Sequence, residues 1–305
     1  MVSIVVKKIK GNEYLYLVGS IRQGEKVRQK TIKYIGPKRP ISKAEFTCMQ
    51  LSYQDKDWIL HQYEDELPYT YHHQMKQASG QYLKHVQRLD STSQEKERER
   101  FLSQFIASSN AIEGSTMTAK DTHRFLFQGI IPSGHSKKEL HMAINLMKAW
   151  KYVEGNYTRM PMKADICTLH KVVNDEIESD ETLGNYKFVQ NYIGEVYTSS
   201  YLFVEEKMKR LLVWIKKAYR KMDDFEVAFQ SHAQFELIHP FVDGNGRVGR
   251  LLLNWLLLRK KLAPLAIPSA KREQYITALE NAQRGNLKAI SQFCYEEYIQ
   301  QYQFV

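Results

Sequence analysis

The chain has 305 residues, 43% apolar and 26% charged, which suits a soluble globular protein with room for one large core or two modest ones and excludes wholesale disorder. Its longest apolar runs, Leu251–Leu253 and Trp255–Leu258, are far too short to span a bilayer. The net charge of +10 is uneven: residues 1–40 carry ten Lys or Arg against Glu13 and Glu25, a net of +8, leaving about +2 for the remainder, so the basicity belongs to one segment.

At the N-terminus, "MVSIVVKKIKGNEY" puts its apolar residues before its lysines, the reverse of a signal peptide. Cys48, Cys167 and Cys294 are scattered without metal-type spacing and read as reduced thiols, so a cytoplasmic protein with no membrane attachment is expected. Residues 1–40 alternate runs rich in Val, Ile and Tyr with turn signals at Gly11-Asn12 and Gln23-Gly24 and close at Gly36-Pro37, which predicts three antiparallel strands. Two readings of this segment stay open. It grips nucleic acid or an acidic partner, or its lysines only solvate one sheet face.

From Ser42 the pattern turns helical. A helical connector is expected over 41–94. "SQEKERERFLSQFIASS" follows Thr92, which forms a capping-box pattern with Glu95. "KKELHMAINLMKAWKYV" repeats apolar residues at Leu140, Ala143, Ile144, Met147 and Trp150, a helix with one buried stripe. "MKADICTLHKVVNDEI", "EEKMKRLLVWIKKAYRKM", "FEVAFQSHAQFELI" and the segments after Ser269 behave likewise. Only Tyr186–Tyr197 breaks the period with a β-rich stretch. The fold expected is mainly α: a helical bundle with one β-hairpin, plus the small N-terminal antiparallel sheet.

The chemistry concentrates in "LIHPFVDGNGRVGRLLLNW", residues 237–255. His239 stands where a helix must stop, because a residue before proline is pushed away from helical angles. Gly244 and Gly246 flank Asn245 and let backbone N–H groups turn inward. A helix then begins near Arg247, and a glycine loop feeding a helix start is an anion cradle. Arg247 and Arg250 are three apart, on one face, placed to reach a polyphosphate together. Asp243 suits a divalent cation against those phosphates, and His239 has the pKa for general-base work. A calcium loop is excluded, since Arg247 and Val248 fall where a ligand and a glycine are needed.

"HPFVDGNGRVGR" matches His-Pro-Phe-x-Asp-Gly-Asn-Gly-Arg-x-x-Arg, the signature of Fic domain proteins, at every fixed position. The chain resembles that family over about 95–297, including "LHKVV" (169–173) and "REQYITALENAQRGN", with 298–305 as a tail. The resemblance implies a Fic-type bundle that moves AMP from ATP to a Ser, Thr or Tyr hydroxyl of a protein, itself included. By the same resemblance His239 takes the hydroxyl proton, and Asp243 holds Mg²⁺ or Mn²⁺ bridging the α- and β-phosphates. Gly244, Asn245 and Gly246 would hold the phosphates, and Arg247 and Arg250 the β/γ end. Relatives that phosphorylate tend to carry Lys where this chain has Gly246, so AMP transfer is implied.

Upstream, "SSNAIEG" reads alone as a helix end with a glycine cap. Self-inhibiting Fic proteins carry Ser/Thr-x-x-x-Glu-Gly/Asn there, which Ser109–Gly114 fits. The resemblance implies that Glu113 pairs with Arg250 and blocks productive ATP binding, and leaves open that Glu113 also supports AMP removal. The stretch after Gly184 resembles the family's target-docking flap, with Asn191, Tyr192, Ile193, Gly194, Glu195, Val196, Tyr197 and Thr198 as its lip. Two departures stand out: Lys187 where the family often has Arg, and "YTSSYLF" without prolines. Three functions stay open at this stage: a regulated AMP transferase, a nucleic-acid-binding regulator led by the basic sheet, and Fic-type transfer of phosphate or another phosphate-linked group. A homodimer also stays open.

Overall fold

The computed structural model describes residues 2–23, 26–54, 62–193 and 196–303, with the backbone alone for 21–23, 26–27, 192–193 and 196–197. Among these, eleven α-helices accompany a three-stranded sheet and a two-stranded hairpin. Strands β1 (Val2–Ile9), β2 (Asn12–Gln23) and β3 (Lys26–Pro37) form an antiparallel meander in the order β1-β2-β3. Lys10 and Gly11, both at positive φ, make the first turn; Gly24, named for the second, lies outside the described residues. Alternation along β2 sends Leu15 and Leu17 to a small core with Val2, Ile35 and Met49, the last from α1 (Lys43–Gln54).

The helical body comprises α2 (Tyr69–Arg88), α3 (Ser91–Ile112), α4 (Ala119–Gln128), α5 (Lys137–Asn156), α6 (Lys163–Val173), α7 (Val204–Ala218), α8 (Asp224–Ile238), α9 (Asn245–Arg259), α10 (Arg272–Gln283) and α11 (Leu287–Tyr302). The two halves of 41–94 pack differently: α1 joins the sheet's core, whereas Leu67 and α2 residues Met75 and Tyr82 join that of the bundle. At the far end α11 continues past residue 297, burying Tyr298 and Tyr302. The cap of α3 differs from the Thr92 expectation. Asp90 is the N-cap, its carboxylate accepting from the Ser93 N–H, so the helix starts at Ser91. The segment 186–191 is irregular, and the hairpin is confined to β4 (Tyr192–Ile193) and β5 (Val196–Tyr197).

Helices α8 and α9 form the centre. From Phe225 to Glu236 every residue of α8 is buried, and so is nearly all of α9 from Arg247 to Leu257. A helix without a polar face belongs inside a body, and the two lie against each other there. The six residues that join them, 239–244, are therefore held at both ends by the most rigid part of the molecule.

Candidate active site at the start of α9

His239 caps α8 in the left-handed region, φ 50° and ψ 64°, with its N–H still donating to Phe235 O at 2.9 Å. That conformation, which histidine tolerates better than most residues, turns the chain sharply into Pro240. Phe241 then anchors the loop: it is fully buried and stacks on His170 with ring centroids 3.9 Å apart. Asn245 closes the turn by accepting from Phe241 N–H (2.9 Å) and donating to Phe241 O (3.0 Å). The Asn245 side chain is thus a staple of the loop, while its N–H and that of Gly246 are first-turn donors of α9 without a carbonyl one turn back.

Both glycines are required by close approach. Gly244, at φ +71°, is the N-cap, and a Cβ there would collide with the Asn174 side chain. A Cβ on Gly246 would land on the Glu113 carboxylate and 3.0 Å from Arg250 Nη1. The mouth of α9, where the helix dipole and first N–H groups favour negative charge, is therefore faced by a carboxylate of the chain itself.

Glu113 is the C-cap residue of α3, followed by Gly114 at φ +98°, as a glycine-capped helix end requires. Its Oε1 accepts from Arg250 Nη2 at 2.7 Å. Ser109, one turn earlier, accepts from the same guanidinium twice, through Oγ from Nε and through its carbonyl from Nη2, both at 2.8 Å. Arg250 is buried, and burial works against its charge; Glu113 and Tyr275 outweigh that and hold its pKa above the usual value. Arg247, expected to grip phosphates together with Arg250, makes different hydrogen bonds. It turns to the end of α6, donating to Asn174 Oδ1 at 2.8 Å and Val173 O at 3.3 Å, and its buried Nε is left unpaired.

The imidazole of His239 is mostly enclosed, 16% exposed, with Nδ1 3.8 Å from Glu236 Oε2 and unpaired. Burial, reinforced by the charge of Lys187, pushes it down to about 3, so it is a neutral base at physiological pH. Burial, reinforced by the charge of Glu113, pushes the neighbouring Glu236 carboxyl up to about 8 against the pull of Arg250, which favours its protonated form there. Asp243 is exposed, and its Oδ1 accepts from Gly244 N–H at 2.6 Å. Among the described residues no three His, Cys, Asp or Glu side chains cluster as a metal cage. One exposed carboxylate suits Mg²⁺, which is commonly held by one or two carboxylates plus substrate phosphates.

Several residues outside the expected set complete the site. Asn174 bridges Gly244 and Arg247. His170, pushed down to about 4 by burial, accepts from Gly184 N–H at Nδ1 and holds Asp243 O from Nε2 at 3.1 Å. Lys187 is buried and donates to Asn191 Oδ1 (2.6 Å) and Thr198 Oγ1 (2.9 Å), while Asn191 Nδ2 donates to Phe241 O (2.7 Å). Asn191 and Thr198 are therefore the base of the hairpin, tied to the signature loop, and not its lip. Between them Tyr192 pairs with Tyr197 and Ile193 with Val196; Gly194 and Glu195 lie outside the described residues.

A model of the Fic/DOC family matches residues 161–257, from the approach to α6 through most of α9. That stretch is similar to Fic domains. Protein adenylyltransferase fic-1 of Caenorhabditis elegans is 29% identical over 194 residues, 58% of this chain and 36% of the relative. Protein adenylyltransferase Fic of Nematostella vectensis is 31% identical over 206 residues, 65% of this chain and 48% of the relative. The chain thus spans between about a third and a half of the length of these relatives. Among solved structures, Fic-1 of C. elegans superposes with a TM-score of 0.67 at 24% identity, covering 85% of this chain and 74% of that one. A Fic-domain-containing signaling protein of Bacteroides thetaiotaomicron gives 0.67 at 23%, covering 75% and 95%. These likenesses establish the Fic fold. The matched stretch contains every signature residue, whereas Ser109 and Glu113 reach the Fic core from outside it.

Proposed function

We propose that this chain is a protein adenylyltransferase that moves AMP from ATP to a protein hydroxyl, its own included, and is restrained by Glu113. One observation carries the reading: an uncharged imidazole, His239, stands at the rim of a helix start whose first N–H groups and buried arginine form an anion seat. In the reaction His239 accepts the hydroxyl proton as that oxygen bonds to the α-phosphorus, and the bond to the departing pyrophosphate breaks. The N–H groups of Asn245 and Gly246 take the charge that develops on the α-phosphoryl oxygens. Arg250 holds the far phosphates, and Arg247, pinned by Asn174, adds positive field from the other side. Asp243 is the residue that would hold Mg²⁺, which when bound neutralises phosphate charge. The β4–β5 hairpin offers its edge to an extended target segment, with Lys187 and Asn191 fixing its height above the loop.

Restraint follows from the same seat. Glu113 bonds the arginine and places its carboxylate over Gly246, so a triphosphate meets a like charge where it needs a donor. Incubating Glu113→Gly with Mg²⁺ and ATP labelled at either the α- or the γ-phosphate tests the transfer. Label on protein from the α position alone supports AMP transfer. Label from the γ position would replace it with phosphate transfer.

A further inference from the structure

Helix α7 buries one face, Met208, Leu211, Trp214 and Ile215 among it, and leaves a mixed stripe outside. Glu205, Lys209, Val213 and Lys216 follow one another at spacings of three and four and so share that outer face. A surface helix ordinarily keeps such a face polar, yet Val213 at its middle is 46% exposed. One exposed valine would need no explanation. Met162, the N-cap residue of α6, is 56% exposed as well, and it lines the same groove as Val213. The groove has a volume of about 320 Å³, the size of a small ligand pocket, and the partly buried Leu212 and Tyr186 complete its apolar lining. Its charged lining is cationic: Lys163, Lys209 and Lys216 against Glu205. Lys163 is already engaged, paired with Glu205 and standing over the Tyr186 ring at 5.2 Å. Lys209 and Lys216 are exposed and form no ion pair with a described carboxylate.

We infer that this groove docks an acidic segment of a partner protein, with apolar side chains against Met162, Leu212 and Val213 and carboxylates at Lys209 and Lys216. The lysines set the sign of the occupant and the apolar lining sets its kind. A free phosphate or a nucleic-acid backbone would meet the lysines but leave Met162 and Val213 in water. No open ring awaits a base either, since Tyr186 is covered by Lys163 and packs on Phe241 with ring centroids 5.6 Å apart. A lipid surface is met by a protruding apolar face, whereas these side chains line a concavity. Through Tyr186 the groove adjoins the signature loop. Docking there needs no nucleotide, so this reading stands or falls separately from AMP transfer.

Fluorescence anisotropy of a labelled peptide in which a Leu pair is flanked by Glu pairs tests it, with the full chain and without ATP. Saturable binding that weakens as salt rises is expected. Replacing the Leu pair by Ser, or the Glu pairs by Lys, should weaken binding on the order of tenfold. On the protein, Lys209→Glu/Lys216→Glu should also lower affinity on the order of tenfold, and Val213→Ser about threefold. All three side chains are exposed, and unchanged thermal midpoints would show that the variants remain folded. The proposal is overturned if the peptide shows no saturable binding at low salt, if its Ser form binds equally well, if both variants bind as the parent does, or if phosphatidylserine vesicles bind the chain and displace the peptide at equal charge.

Discussion

His239 combines two properties that pull against each other elsewhere: it is enclosed, yet the proposed reaction brings a hydroxyl to its ring. Because burial pushes it down to about 3, its basic form persists well below the ordinary histidine range. The acidic limb of kcat/KM for AMP transfer by Glu113→Gly should therefore not have its midpoint near 6.5, and rates at pH 6 and 7.5 should agree within about twofold. A limb centred at 6.5 would contradict the enclosed, neutral imidazole. Gly249 gives a second test at this scale. A Cβ there would strike Glu236 Oε1 and lie 3.0 Å from His232 Nδ1, so Gly249→Ala should lower stability by about 1–3 kcal/mol in urea denaturation. His239, Asp243 and the glycines were legible in the sequence because their spacing is local. Asn174 and Glu236 were not, since their meaning arises from contact: Asn174 meets Arg247 across 73 positions of chain.

Among the elements, α3 is the one whose end has two uses. Its C-terminal turn closes with Gly114, as any helix might, and the same turn aims Ser109 and Glu113 at Arg250. Four-residue spacing made the shared face readable; the partner and the seat over Gly246 needed the fold. Replacing Glu113 with Gly leaves buried Arg250 bonded to Ser109 but short of its carboxylate, so Glu113→Gly should lose about 1–3 kcal/mol of stability while gaining AMP transfer. Saturating ATP should restore part of that loss, read as a rise in thermal midpoint larger than in the parent. A variant more stable than its parent would contradict the pairing. The hairpin was placed a few residues too broadly because its β-rich composition runs through Tyr186 and Lys187. Those residues are spent on burial and on clamping the base, and pair with no strand.

For the molecule as a whole, the mainly helical bundle and the separate basic meander were legible from period and charge, and the division into two cores was not. That division depends on Met49 of α1 and Phe203, just beyond the hairpin, meeting the sheet, contacts without a local pattern. Buried histidines make a whole-molecule prediction. His170, His232 and His239 are pushed down to about 4, 3 and 3, so below 6.5 the unfolded chain takes up protons that the fold refuses. Their contribution is present above 6.5 and is lost as pH falls toward those values. Glu236, raised to about 8 from 4.5, has the opposite sign: its contribution is complete below 4.5 and lost as pH rises through 8, so it offsets one histidine within that window. Net stability should fall on the order of 2 kcal/mol between pH 6.5 and 5.5, measured as urea midpoints. Constant midpoints would contradict the buried neutral rings.

The mass of the intact protein after incubation with ATP and Mg²⁺ tests most directly whether Glu113 holds the seat that the triphosphate needs. Glu113→Gly should gain one or more AMP adducts, while the parent and the double variant Glu113→Gly/His239→Ala remain unmodified. Equal adducts on the parent and Glu113→Gly, or adducts that persist without His239, would contradict the account.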